Sequence, residues 1–220
     1  MFTPVLCDDA IPRPAGWASL PLPADALRAE LAIAAARHIA EGGLDYRSAK
    51  QRAIEEVLGE QSPPRNAVPD NADVDEALRQ HLALFDPAHP QRVARMRRTA
   101  LRLMDTLADF QPYLTGAVWK GIVSEHAPIH VQLFHDDGKE VQIHLLNLGL
   151  EIEVTELPHF RGEGRFASVE ALCLSWEDEP VLLSLYSVDD LRGALRGQPA
   201  ERGSRDTVEA LLAATPAASA

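Results

Sequence analysis

The stretch "LTGAVWKGIVSEHAPIHVQLF", residues 114–134, reads as a strand, a turn bounded by Gly116 and Gly121, and a second strand of alternating polar and apolar residues. Alternation puts Pro128, His130 and Gln132 on one face of that second strand and Ile129, Val131 and Leu133 on the other. The apolar face suits a core, and the polar face suits a cleft.

On the N-terminal side the period is helical. "ADALRAELAIAAARHIAEGG", from Ala24, spaces Leu27, Leu31, Ala35 and Ile39 for one helix face and stops at Gly42 and Gly43. A second helix is predicted from about Tyr46 to Leu58, ending at Gly59. "EQSPPRNAVPDNAD" is a loop by composition, with Asp73 as the expected cap of the helix "VDEALRQHLALF", which Pro87 and Pro90 terminate. The next helix spans about Gln91 to Phe110, with Val93, Met96, Ala100, Met104 and Leu107 on one side. Arg92, Arg95, Arg97, Arg98 and Arg102 give it a basic character, best read as solvated or paired with nearby carboxylates.

On the C-terminal side, "KEVQIHLLN" and "EIEVTEL" read as further strands, and Asp136, Asp137 and Gly138 as a hairpin turn before the first of them. The loop "HFRGEGRF", a weak candidate for wrapping an anion, leads to the apolar runs "VEALCLSW" and "VLLSLYS". Ser187 and Asp190 have capping-box spacing at the start of "VDDLRGALRG", and "RDTVEALLAA" is the last predicted helix. The expected fold class is α+β, an N-terminal helical region followed by a mixed β-sheet flanked by helices. Residues 1–23 read as a Pro-rich extended arm, 24–86 as the helical region, 90–214 as the α/β domain and 215–220 as a flexible tail.

Composition narrows the function classes. With 33 acidic and 21 basic side chains the net charge is −12, which disfavours general binding to nucleic acid. Two cysteines, Cys7 and Cys173, make neither a disulfide framework nor a thiolate metal site. The start "MFTPVLCDDAIPRP" has neither the basic nor the apolar region of a signal peptide, and no segment approaches the ~20 apolar residues of a membrane span. A cytoplasmic location and no membrane partner are expected.

The order of features from residue 91 to 147 resembles the nucleotidyltransferase superfamily, to which DNA polymerase beta and the small bacterial MNT-type proteins belong. That family carries Gly-Ser or Gly-Gly after a first strand, then Asp-hydrophobic-Asp on a second, with a third carboxylate on a neighbouring strand. Here Gly116 and Ala117 stand at the Gly-Ser position, "PIHV" occupies the Asp-hydrophobic-Asp slot, and Gln142 is the candidate for the third carboxylate. A broader similarity, from Ala24 to the last helix, is to uncharacterised proteobacterial proteins sometimes labelled UDP-N-acetylmuramate–alanine ligase. Such a ligase needs a phosphate loop ending in Gly-Lys-Ser/Thr, whereas Gly138-Lys139 here is followed by Glu140.

The resemblance implies a nucleotidyltransferase-like α/β fold whose chemistry is degenerate. Pro128, His130 and Gln142 cannot act as anionic magnesium ligands, and Ala117 lacks the hydroxyl offered to a phosphate. Gly116, Lys120 and Gly121 remain as candidate nucleotide or phosphate contacts. His130, His144 and Glu140 form a speculative transition-metal set, against the plainer reading of hydrogen-bonded or surface histidines. The expectation is a pseudoenzyme with a binding or regulatory role toward a protein or small-molecule ligand. One alternative is an active transferase with rearranged ligands such as Glu125, Asp136, Asp137 or Glu140, requiring magnesium. The other is an oligomeric, partner-binding protein whose apolar helices and arm form a homodimer.

Overall fold

The computed structural model describes residues 23–160, 168–191 and 201–214. The predicted arm, the "RGEGR" loop, the tail and the later part of the "VDDLRGALRG" helix lie outside the described residues.

Three N-terminal helices enclose one apolar cluster. In α1 (Ala24–Gly42) the buried face carries Leu27, Leu31, Ala35 and Ile39, and its alanines admit close neighbours. Helix α2 (Tyr46–Leu58) begins at Asp45, whose carboxylate accepts from the Arg47 and Ser48 amides at 2.9 and 3.2 Å. Helix α3 (Asn71–Phe85) is capped by Asp70 rather than Asp73. Asp73 supplies the reciprocal half of a capping box, accepting from the Asp70 amide at 3.0 Å, so the helix starts earlier than expected. Leu31, Ala49, Ala53, Val74, Leu78 and Leu82 fill the cluster, and Ile122, far along the chain, joins it.

A second cluster lies under the sheet. Helix α4 (His89–Thr106) begins at His89 because Pro90 is tolerated in a first turn, where its missing N–H has no helical partner. A 3-10 turn, Ala108–Phe110, follows it. Then come β1 (Tyr113–Thr115), the short α5 (Gly116–Lys120), β2 (Ile129–Phe134), α6 (Gly138–Asn147), β3 (Glu153–Leu157), β4 (Val169–Trp176), β5 (Glu179–Tyr186), α7 (Val188–Leu191), β6 (Arg202–Gly203) and α8 (Arg205–Ala214). The strands form one mixed sheet in the order β3-β4-β5-β2-β1-β6, in which only β2 and β5 run parallel. Ile129, Val131 and Leu133 point into the core with Leu172 and Leu183, Val93, Met96, Ala100, Leu103 and Met104 of α4, Leu107 just beyond it, Val141 and Leu145 of α6, and Val208 of α8.

The expected strand "KEVQIHLLN" is helix α6. Its alternation of Val141, Ile143 and Leu145 is deceptive: Val141 and Leu145 are buried at helical spacing, while Ile143 is exposed. Asp137 caps the helix, accepting from the Lys139 and Glu140 amides at 2.9 and 3.4 Å, so the Asp-Asp-Gly signal opens a helix rather than a hairpin. Parallel pairing of β2 with β5 needs such a crossover.

Candidate functional site

Register across the sheet defines the polar face. Thr115 lies opposite His130 and Tyr113 opposite Gln132, while Leu182 and Ser184 of β5 stand beside His130 and Gln132. Arg202 of β6 lies opposite Thr115. These side chains share the face turned away from α4, α6 and α8, as the alternation of residues 128–134 predicts.

The arrangement begins at Gly116. Its φ of +68° is one that side-chain-bearing residues avoid, and a Cβ there would lie 3.4 Å from the Cβ of His130. Glycine thus turns the chain from β1 into α5 directly beside His130. The imidazole Nε2 is 2.7 Å from the Ser184 hydroxyl, a hydrogen bond between the two central strands. Burial pushes the His130 pKa down to about 4, so the ring is neutral near pH 7. Ser184 is fully buried, which bars it from acting as a nucleophile on a substrate in solution.

Toward the C-terminal end of β2 the face becomes aromatic. Tyr113, Phe134, Tyr186, His159 and Phe160 form a chain of ring contacts with centroids 4.8–5.6 Å apart. The Arg202 guanidinium lies over this group, 4.6 Å from the Phe134 centroid, and donates to Gln132 Oε1 at 3.3 Å and the Leu191 carbonyl at 3.0 Å. Burial raises the Tyr186 phenol above its ordinary pKa. Thr115 donates its hydroxyl to the Glu201 carbonyl at 2.7 Å, tying β1 to β6.

The expected phosphate contacts are engaged elsewhere. Lys120 donates to Asp75 of α3 at 2.7 Å. Asp75 also accepts from the Tyr46 hydroxyl, and burial, followed by this carboxylate, raises the Tyr46 pKa. Lys120 therefore fastens α5 to the helical region. Gly121 is the left-handed C-cap of α5 at φ +70°, and the buried Arg97 donates to the Val118 and Trp119 carbonyls at 3.1 and 3.0 Å. Of the other α4 arginines, Arg92 pairs with Asp86 and Glu125, Arg95 with Glu179 and Arg102 with Glu177, while Arg98 is exposed to solvent.

The speculative metal set is not brought together. His130 lies on the opposite face of the sheet from α6, whereas His144 sits on α6 with its ring against Phe110 of the helix-covered core, and Glu140 pairs with His135 at 2.8 Å. Among the described residues no group of three His, Cys, Asp or Glu side chains has the arrangement of a metal site. Gln142 is likewise not beside β2; it donates from α6 to Glu170 at 2.7 Å. The strands that do flank His130 are β1, with Thr115, and β5, with Leu182 and Ser184.

The side chains that build this face but escaped the sequence reading are Ser184, Thr115 and Arg202, and Asp75, which anchors Lys120 from α3, escaped it too. Ser184 had a signal, a lone hydroxyl inside the apolar run "VLLSLY". Arg202 and Asp75 had none, because their roles depend on contacts across long stretches of chain. No family model, curated protein or solved structure matches the chain.

Proposed function

We propose that residues 90–214 are a nucleotidyltransferase-like unit that has lost nucleotidyl transfer and serves in binding or regulation, in the cytoplasm. Supporting the architecture is the succession of strand, Gly116 turn, short helix and strand, with a parallel strand beside the second. The observation that carries the loss of chemistry is the His130 to Ser184 hydrogen bond at 2.7 Å, in the place where two cations would need carboxylates. A neutral imidazole and a serine hydroxyl committed to it are poor magnesium ligands, so the residues present do not fit that metal.

Relocated carboxylates offer no substitute. Glu125 pairs with Arg92 at 3.6 Å, Asp136 accepts from the Val188 amide at 3.0 Å, Asp137 caps α6 and Glu140 holds His135. No described helix is long and apolar enough to cross a membrane. Incubating the purified chain with labelled nucleoside triphosphates and magnesium should leave protein and small-molecule acceptors unlabelled. Transfer by the wild type that disappears in Glu125→Ala or Glu140→Ala would establish rearranged ligands and defeat the proposal.

A further inference from the structure

Strand β3 ends the sheet. Its only neighbour among the described residues is β4, so one edge of Glu153–Leu157 leaves its amides and carbonyls without a strand partner. Residues 153–156 are exposed, and Val154 is 54% accessible. Ile143 and Leu146 of the neighbouring α6 are exposed to a similar degree, 58% and 56%.

Among the described residues, the charged side chains on or beside β3 have one sign. Glu151, Glu153 and Glu156 lie on or beside β3, and Glu170 stands opposite Glu156 on β4. None of the four is ion-paired among the described residues; Glu156 accepts from the Ser168 hydroxyl at 2.9 Å and Glu170 from Gln142. One groove of about 790 Å³, at the start of the strand, is lined by Glu151, Glu153 and Asp178 together with Cys173 and Ser175. Another of about 420 Å³ runs past Val154, Glu156 and Glu170. Register puts Glu153 and Thr155 on the His130 face of the sheet and Val154 and Glu156 on the α6 face.

We infer that the outer edge of β3 docks an extended segment of another protein, bearing lysine or arginine alternating with apolar residues, as an added strand. Main-chain pairing would supply affinity; Glu153 would select a basic side chain on the His130 face of the sheet, and Val154 an apolar one on the α6 face. A second copy of this chain is the poorer occupant. Antiparallel self-pairing centred on Thr155 would set Glu153 opposite Leu157 and Glu156 opposite Val154, giving neither glutamate a basic partner, between molecules that each carry a net charge of −12. This inference is independent of the emptied site on β2.

The test uses the full chain and a fluorescent peptide of alternating lysine and valine, followed by anisotropy at low and high salt. Binding should weaken with salt, slow amide exchange across residues 153–157, and fall by about tenfold or more in Glu153→Lys/Glu156→Lys. Both positions are exposed, and an unchanged melting temperature will confirm that the variant folds. The same peptide N-methylated on alternate amides should not bind, which separates strand addition from charge attraction. Equal binding of the methylated peptide, equal binding of a glutamate–valine peptide, or unaltered exchange at 153–157 would overturn the inference. So would protection of those amides by self-association alone.

Discussion

His130 should make this protein acid-sensitive. Its imidazole is held neutral with a pKa of about 4, against 6.5 for the ordinary side chain. Because the unfolded chain takes up that proton first, the stabilisation is complete above pH 6.5 and is lost as pH falls toward 4. At 1.36 kcal/mol per pH unit the full effect is about 3 kcal/mol, and between pH 7 and 4.5 it is about 2.5 kcal/mol. Urea unfolding of the wild type and of His130→Gln at these two pH values isolates it. Glutamine can still bond Ser184 but does not titrate there. The wild type should lose about 2.5 kcal/mol more than the variant on acidification. Equal losses, or an imidazole resonance titrating near 6.5 in the folded protein, would refute the claim that His130 is buried and neutral.

Other substitutions probe the frame around the site. A Cβ at Gly203 would run into the Trp119 ring, so Gly203→Ala should cost about 1–3 kcal/mol in denaturant unfolding, as overpacking does. The β4–β5 turn holds Glu177 and Asp178 at φ of +51° and +66°; Asp178→Gly should raise stability by about 1 kcal/mol, read as an increase in melting temperature. Asp75→Ala strips both Tyr46 and Lys120 of a largely buried acceptor and should destabilise by about 2–3 kcal/mol. A loss within a few tenths of a kcal/mol, close to that of an exposed ion pair, would show that the contact between the helical region and α5 does not depend on Asp75.

The α+β class and the helix order were legible because long helical periods and alternating strands differ in spacing. Residues 24–42 and 129–134 behave as their patterns predict. Short segments were the difficulty: "KEVQIHLLN" alternates over five residues, and only the Asp137 to Glu140 spacing hinted at a helix start. That one misreading displaced Gln142, Glu140 and His144 from the sheet. The polar face of β2 followed from alternation alone, but its neighbours did not. Pairing of β2 with β5, across more than forty residues, is a tertiary outcome that no local pattern encodes, and it decides that Ser184 meets His130. Lys120 shows the same limit, since its partner Asp75 comes from α3.

The central claim is that Gly116, His130 and Ser184 frame a site without a metal centre. Manganese titration with a nucleoside triphosphate present, followed by paramagnetic broadening of assigned amide resonances, addresses that claim directly. Residues 115–117, 130 and 184 should show no selective broadening. Saturable broadening centred on those amides, at manganese concentrations stoichiometric with the protein, would contradict the claim.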